Sequence, residues 1–387
     1  MDKKRFFIIA SALYLFFYMG DAFLSSYYSL YSIHRGLDSH QQSLLLAIIP
    51  FALFLGCLVL SRVGRTPKRA LWMFRVCALI EASLSFGYAF CQGFVPLLLM
   101  TFFLGFFNGA PFALIEGYLV PIIESKGGQY SKVRLFGTLG YIVSLVSGYF
   151  ILSQIPLQNV YFFSFALFLV SFIFSMLLRY ESVDGTSIAK TETDESKRAF
   201  FNKESILYFI SATLLYGAYN ATNYVLPIQL NSMGFSDADY SLARGIAVVA
   251  ELVSLLLMPL WRKWIHDEKV ALYVSAGFIV FATACPTFIP HPVILAYVSM
   301  IAGHIGKAFL FAFEALYVLG FVNKKSLSTY LTIKAGGYNL STSLFNLISS
   351  PIYHAWTFPG YFGLLTGLEI IGLICLVLIP KRTELSK

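Results

Sequence analysis

Twelve runs of predominantly apolar residues, each about as long as a lipid hydrocarbon core is thick, leave this chain few folds to adopt. They cover residues 6–33, 43–60, 70–90, 95–123, 134–153 and 160–178. A polar segment follows, and then come 205–230, 241–260, 270–289, 293–322, 327–352 and 361–379. No water reaches a bilayer core, so backbone N–H and C=O groups there must bond within the segment, and runs of about 20 residues do so as α-helices. With 58% hydrophobic and 12% charged residues in a chain of 387, the composition lies far from the roughly 25% charge of a soluble domain. The expected fold class is an all-α polytopic membrane protein of twelve transmembrane helices, with no separate soluble domain. The five cysteines fall within or beside the runs without C-x-x-C spacing, so no disulfide, metal or redox site is expected. The start MDKKRFFIIASALYLFF has the basic and apolar regions of a signal peptide, yet the run continues to Ile33 without a small-residue cleavage pattern. It is read as a retained first helix.

Basic residues fix an expected orientation. Of 28 Lys and Arg, five lie in or at the ends of runs (Arg75, Arg134, Arg244, Lys307, Lys334), and Arg35 stands in an intervening loop; the other 22 occupy alternate loops and the two tails. The positive-inside rule places both termini and the middle segment in the cytoplasm, hence a multi-pass protein of the cell (inner) membrane. The formal charge of +8 therefore carries topology and argues against a nucleic-acid partner, which it could indicate in a soluble protein.

The runs group as two halves. RGLDSHQQSLLLAI (35–48) aligns without gaps on MGFSDADYSLARGI (233–246), each opening the second helix of its half, and SRVGRTPKRAL matches LWRKWIHDEKVAL loosely. Expected domains are a six-helix bundle at 1–180, a cytoplasmic linker at 181–204 and a second bundle at 205–387. Parallel repeats related by a pseudo-twofold along the membrane normal are the architecture of the major facilitator superfamily, with the site at mid-membrane.

Charges inside the runs are expensive, about 2.5–3.5 kcal/mol each on insertion scales, and mark partners or cavities. Glu116 and Arg134 interrupt two adjacent runs joined by a short polar turn at 125–132, so they read as a pair facing a substrate cavity. Thr138, Tyr141 and Gly148 share the Arg134 face, while Gly137 and Gly140 permit close helix approach. In the first run Tyr14, Tyr18, Asp21, Ser25, Tyr28 and Ser32 form one stripe, with Asp21 a candidate cation or proton site. Asn108 either contacts substrate or bridges helices. Glu251 reads as functional, and Arg244, seven residues earlier, as too distant to pair with it and snorkelling outward. His304, Lys307 and Glu314 share one helix face, with Glu314 the expected proton-coupling carboxylate and Lys307 and His304 setting its affinity. Asn220 and Asn223, and Lys334 with Tyr338 and Ser341, offer hydrogen bonds to a polyol or to neighbouring helices. Glu81 and Glu369 read as helix-packing contacts.

IEGYLV (115–120) followed by VRLFGTLGY (133–141) resembles the helix-four to helix-five region of the oligosaccharide:proton symporters, the lactose permease-like family. The similarity continues through AELV at Glu251, AFE at Glu314 and PIYHAWTFPGYFGLL near the C-terminus. The resemblance implies that Glu116 and Arg134 hold sugar hydroxyls and that Tyr141 stacks on the sugar ring. Several positions depart from that family. Ser61 replaces a motif Asp, and Asn220 and Asn223 stand where acids are expected, which leaves Lys334 without its counter-ion. Lys307 lies one position off the family spacing to Glu314.

The expected function is secondary active transport, a proton-coupled uptake of a sugar or other polyhydroxylated solute by alternating access. Efflux of an amphipathic or cationic compound is the alternative, and a membrane enzyme or receptor is disfavoured for want of a catalytic cluster or extramembrane domain. The expected partners are a small-molecule substrate and membrane lipid, the protein acting as a monomer with the proton as coupling ion and no cofactor.

Overall fold

Several helices begin where the sequence supplies caps. Asp38 accepts from the Gln41 N–H and the Gln41 side chain accepts from the Asp38 N–H, a reciprocal capping box. Thr66 caps the next helix ahead of Pro67, while Asn202 and Asp267 cap later ones. The computed structural model describes residues 2–64, 66–178, 202–322 and 327–380, and all regular structure among them is helical. The expected linker falls largely outside the described residues, as do the basic residues Arg65, Arg179, Lys324 and Lys325.

In chain order the helices are α1 (Lys3–Ser25), α2 (Tyr28–His34), α3 (Ser39–Val63), α4 (Pro67–Tyr88), α5 (Phe94–Asn108), α6 (Pro111–Ser125), α7 (Tyr130–Leu152) and α8 (Val160–Leu177). They continue as α9 (Lys203–Ser232), α10 (Asp237–Leu256), α11 (Met258–Trp261), α12 (Glu268–Phe288), α13 (Pro292–Val318), α14 (Leu327–Leu347) and α15 (Ser349–Val377). Among the described residues nine helical stretches are long and apolar enough to cross a membrane, α5 and α6 counting as one. The spans carried by α9, α10 and α14 are more polar, and these hold Asn220, Asn223, Arg244, Glu251 and Lys334. Together they make the twelve-helix fold.

Several of the expected spans are broken. The first parts at Ser26 and Tyr27, so Tyr28 and Ser32 lie on the separate α2 and the single polar stripe expected over Tyr14–Ser32 ends at Ser25. The fourth parts at Gly109 and Ala110, because Pro111 has no N–H to continue the ladder and opens α6 at its first position. The last span starts at Ser349, earlier than expected, and bends at Thr357 (φ 62°), two residues before Pro359.

The chain divides into two compact units, Met1–Ile188 with Ser236–Gly245, and Ala189–Phe235 with Ile246–Lys387. Within the first, α1 packs on α7 and α8, and α4 on α5, α6 and α8. Within the second, α9 packs on α14 and α15, and α12 on α13 and α15. The same pairing occurs in both, as an internal repeat requires. The local repeat also has a physical basis. Gly36 (φ 68°) and Gly234 (φ 81°) take turn conformations that favour glycine. Leu37 and Phe235 are buried, and Asp38 and Ser236 each accept from the N–H three residues on. A second device recurs: Arg75 donates to the Ser175 and Leu178 carbonyls ending α8, and Lys269 donates to the Val377 and Ile379 carbonyls ending α15.

Gly140 permits a close approach of α7 to α1. A Cβ there would sit 2.4 Å from the Leu15 carbonyl oxygen of α1. Gly140→Val is expected to push α7 from α1 and cost about 1–3 kcal/mol, read as a lowered melting temperature in detergent; an unchanged melting temperature would contradict this packing.

Candidate functional site

In the first unit, breaking the fourth span and starting α7 at Tyr130 bring two side chains onto one carboxylate, with a third behind one of them. Glu116 Oε1 accepts from Arg134 Nη1 at 2.6 Å and from Tyr130 Oη at 2.6 Å. Since Tyr130 spends its proton there, Tyr14 donates to it across 3.1 Å, completing a chain Tyr14 to Tyr130 to Glu116. Tyr18 stacks on Tyr14 with ring centroids 5.9 Å apart. The pair expected from sequence is therefore present, and Tyr130, assigned to a loop, is part of it. Its position four residues before Arg134 put it on the same helical face.

The exposure of the pair bears on its role. The Arg134 and Glu116 side chains are 53% and 31% exposed, and pairs so open contribute about 0–1 kcal/mol to stability. Tyr141 Oη lies 3.3 Å from both Ser25 Oγ and Ser26 Oγ, where α1 ends. Asn108 Nδ2 donates to Asp21 Oδ1 at 3.0 Å, so these two candidates meet. Arg244 donates to Tyr240 at 2.7 Å.

In the second unit one ion pair and one histidine–carboxylate hydrogen bond hold the candidate side chains. Lys334 Nζ donates to Glu314 Oε1 at 2.5 Å and Tyr208 Oη donates to the same oxygen at 2.7 Å. The expectation that Lys334 lacks a counter-ion is corrected: Glu314, one helix away, supplies the charge that Asn220 and Asn223 cannot. His304 Nδ1 donates to Glu251 Oε2 at 2.6 Å. His304 is thus placed against Glu251, while the groups that bond Glu314 are Lys334 and Tyr208. Lys307 lies over the Tyr219 ring at 5.2 Å, a cation–π geometry. Asn223 donates to the Tyr219 carbonyl within its own helix, and Asn220 is half-buried beside it. Glu369 accepts from Thr283 at 2.7 Å. Unlike the pair in the first unit, Lys334 and Glu314 are only 6% and 12% exposed. Removing one partner of a pair this buried costs about 3–5 kcal/mol, because a charge is left uncompensated.

Outside the spans, His34 Nε2 donates to Asp237 Oδ2 at 2.6 Å, tying α2 to the first turn of α10. That hydrogen bond holds the His34 imidazole above its ordinary value, against partial burial and the nearby Arg35. A raised value means stability fully present below the ordinary His range, near pH 6.5, and lost as pH rises through the raised value. Hydrogen exchange at the start of α10 is expected to quicken above that value, and Asp237→Asn to remove the pH dependence; identical pH profiles for both proteins would contradict the pairing.

Among the described residues no three His, Cys, Asp or Glu side chains gather to hold a metal. The sequence matches the model of the MFS_1 like family over residues 7–266, about two thirds of the chain. No curated protein matches it by sequence. Among solved structures it is similar to the nucleoside transporter NupG, with TM-score 0.80, 15% identity, and 96% of this chain and 98% of that one covered. A mutant of the same transporter aligns with TM-score 0.82, 16% identity and coverage of 96% and 99%. A POT family transporter in complex with a thioalcohol-conjugated peptide aligns with TM-score 0.75, 12% identity and coverage of 97% and 96%. The chain belongs to the MFS_1 like family of the major facilitator superfamily, a multi-pass membrane transporter and not an enzyme.

Proposed function

We propose that the protein takes up a small neutral polyhydroxylated solute, a sugar or a nucleoside, in symport with protons across the cell membrane, its termini in the cytoplasm. The observation that carries this reading is the partly exposed Glu116–Arg134 pair with its tyrosines inside an apolar span. A carboxylate accepts and a guanidinium donates in a fixed fork, which suits adjacent hydroxyls on a ring, and tyrosine offers an apolar face to the ring itself. Tyr141 extends this set within the first unit, and Glu251, Asn220 and Asn223 are the polar candidates within the second. The resemblance to oligosaccharide:proton symporters supports the sugar class; the likeness to a nucleoside transporter makes a ribose-bearing solute a natural second test compound.

Glu314 is the coupling carboxylate in this reading, with Lys334 rather than His304 or Lys307 as its direct regulator. A proton on Glu314 neutralises it and frees Lys334, whose ammonium already lies 5.9 Å from the Tyr216 ring and 5.6 Å from the Tyr338 ring. These rings offer the freed cation a second home, so the pair has two states that proton and substrate can bias. Equilibrium binding of labelled disaccharides and nucleosides to the purified protein tests the substrate class. Binding of at least one class, competed by its unlabelled form, is expected; no binding of either would sink it.

A further inference from the structure

Glu81 does not fit a packing role. It lies within α4, 0% exposed, and neither carboxylate oxygen has a hydrogen-bond partner. The polar groups it interacts with are Asp21 of α1 and Asn108 of α5. Asp21 is itself only 8% exposed and accepts the Asn108 amide hydrogen at 3.0 Å. Three helices thus bring two carboxyl groups and one amide together. Asn108 is also the last residue of α5, where the negative end of the helix dipole favours a cation.

We propose that Asp21, Asn108 and Glu81 bind one small monovalent cation, a proton or a sodium ion, at a site separate from Glu314 and Lys334. An ionised carboxylate cannot remain buried without a compensating charge, and Glu81 has no cation bonded to it. The other titratable groups acting here are Cys77 on Glu81, and Arg244 and Tyr18 on Asp21. Arg244 is turned to Tyr240 and Tyr141, so its charge is shared and reaches Asp21, not Glu81. A proton would leave Glu81 able to donate to the Asn108 amide oxygen, since the amide nitrogen already serves Asp21. Sodium would take oxygens from both carboxyl groups and the amide. Binding here deepens the ion-coupled reading above and relies on it only for how the site is used.

The test needs neither substrate nor transport. Melting temperatures of the full-length protein in detergent are measured against pH in potassium buffer, and against sodium at constant ionic strength and pH, for wild type, Glu81→Gln and Asp21→Asn. A ligand that binds only the folded state raises the melting temperature, on the order of 5 °C at saturating excess. A sodium-dependent rise present in wild type and lost in Glu81→Gln assigns sodium. A fall with rising pH, present in wild type and flattened in Glu81→Gln, assigns the proton, because Gln imitates the neutral acid. Should Glu81→Gln fail to fold, Asp21→Asn carries the same comparison. Equal pH and sodium responses in wild type and the variants would overturn the site, and would leave the Glu314 coupling reading untouched.

Discussion

Glu314→Gln is expected to abolish uphill accumulation of substrate while leaving exchange of internal for external substrate measurable. Gln keeps the size of the side chain and an oxygen for Lys334 and Tyr208, but it cannot gain or lose a proton. The proton gradient then loses the group on which the proposed coupling acts, whereas a substrate-loaded carrier can still reorient. The substitution also withdraws the counter-charge from Lys334, which is 6% exposed, at a cost of up to about 3–5 kcal/mol. A Glu314→Gln, Lys334→Met double variant separates the two effects. It removes the buried pair, so stability is expected to recover towards wild type, while uphill transport stays lost. Uphill transport by Glu314→Gln at the wild-type level would remove Glu314 from coupling.

At the other carboxylate the balance is reversed. Glu116→Gln or Arg134→Ala is expected to weaken substrate binding by roughly 10- to 100-fold, equivalent to about 1.5–3 kcal/mol for a charged hydrogen bond. The melting temperature is expected to move little, because the pair is exposed. Arg134→Lys keeps the charge but loses the planar fork, and is expected to recover only part of the affinity. Tyr130→Phe removes one donor to Glu116 and is expected to have a smaller effect on binding in the same direction. Equilibrium binding and melting curves on the same preparations decide the matter. Normal binding with a large fall in melting temperature would make the pair a packing device instead.

The Glu116–Arg134 contact was legible in the sequence because two charges interrupt neighbouring apolar spans, and lipid leaves such charges few partners. The repeat was legible at 35–48 and 233–246 because Gly36, Asp38, Gly234 and Ser236 carry a turn and a cap, whose chemistry is local. The partners in the second unit were not. Glu314, His304 and Lys307 share one helix face, and a wheel groups them. Side-chain contacts, however, depend on which neighbouring helix each direction meets, and packing placed Lys334 of α14 on Glu314 and Glu251 of α10 against His304. Tyr208 left no signal at all, since nothing in its spacing relates it to residue 314. The breaks at Ser26 and Gly109 also changed what lies on one face, because a helical wheel assumes an unbroken helix. Pro111 marked the second break, whereas the first had no proline to announce it. Glu81 looked like a packing residue from sequence because an unpartnered carboxylate becomes visible only when its surroundings are known.

Uptake of labelled disaccharides and nucleosides into proteoliposomes, with the outside acidified relative to the lumen, tests the proposed proton symport most directly. Accumulation above equilibrium that collapses when a protonophore is added, and that is absent with Glu314→Gln, is the expected result. Equilibration that ignores the pH gradient, or substrate driven outward by it, would contradict proton-coupled uptake.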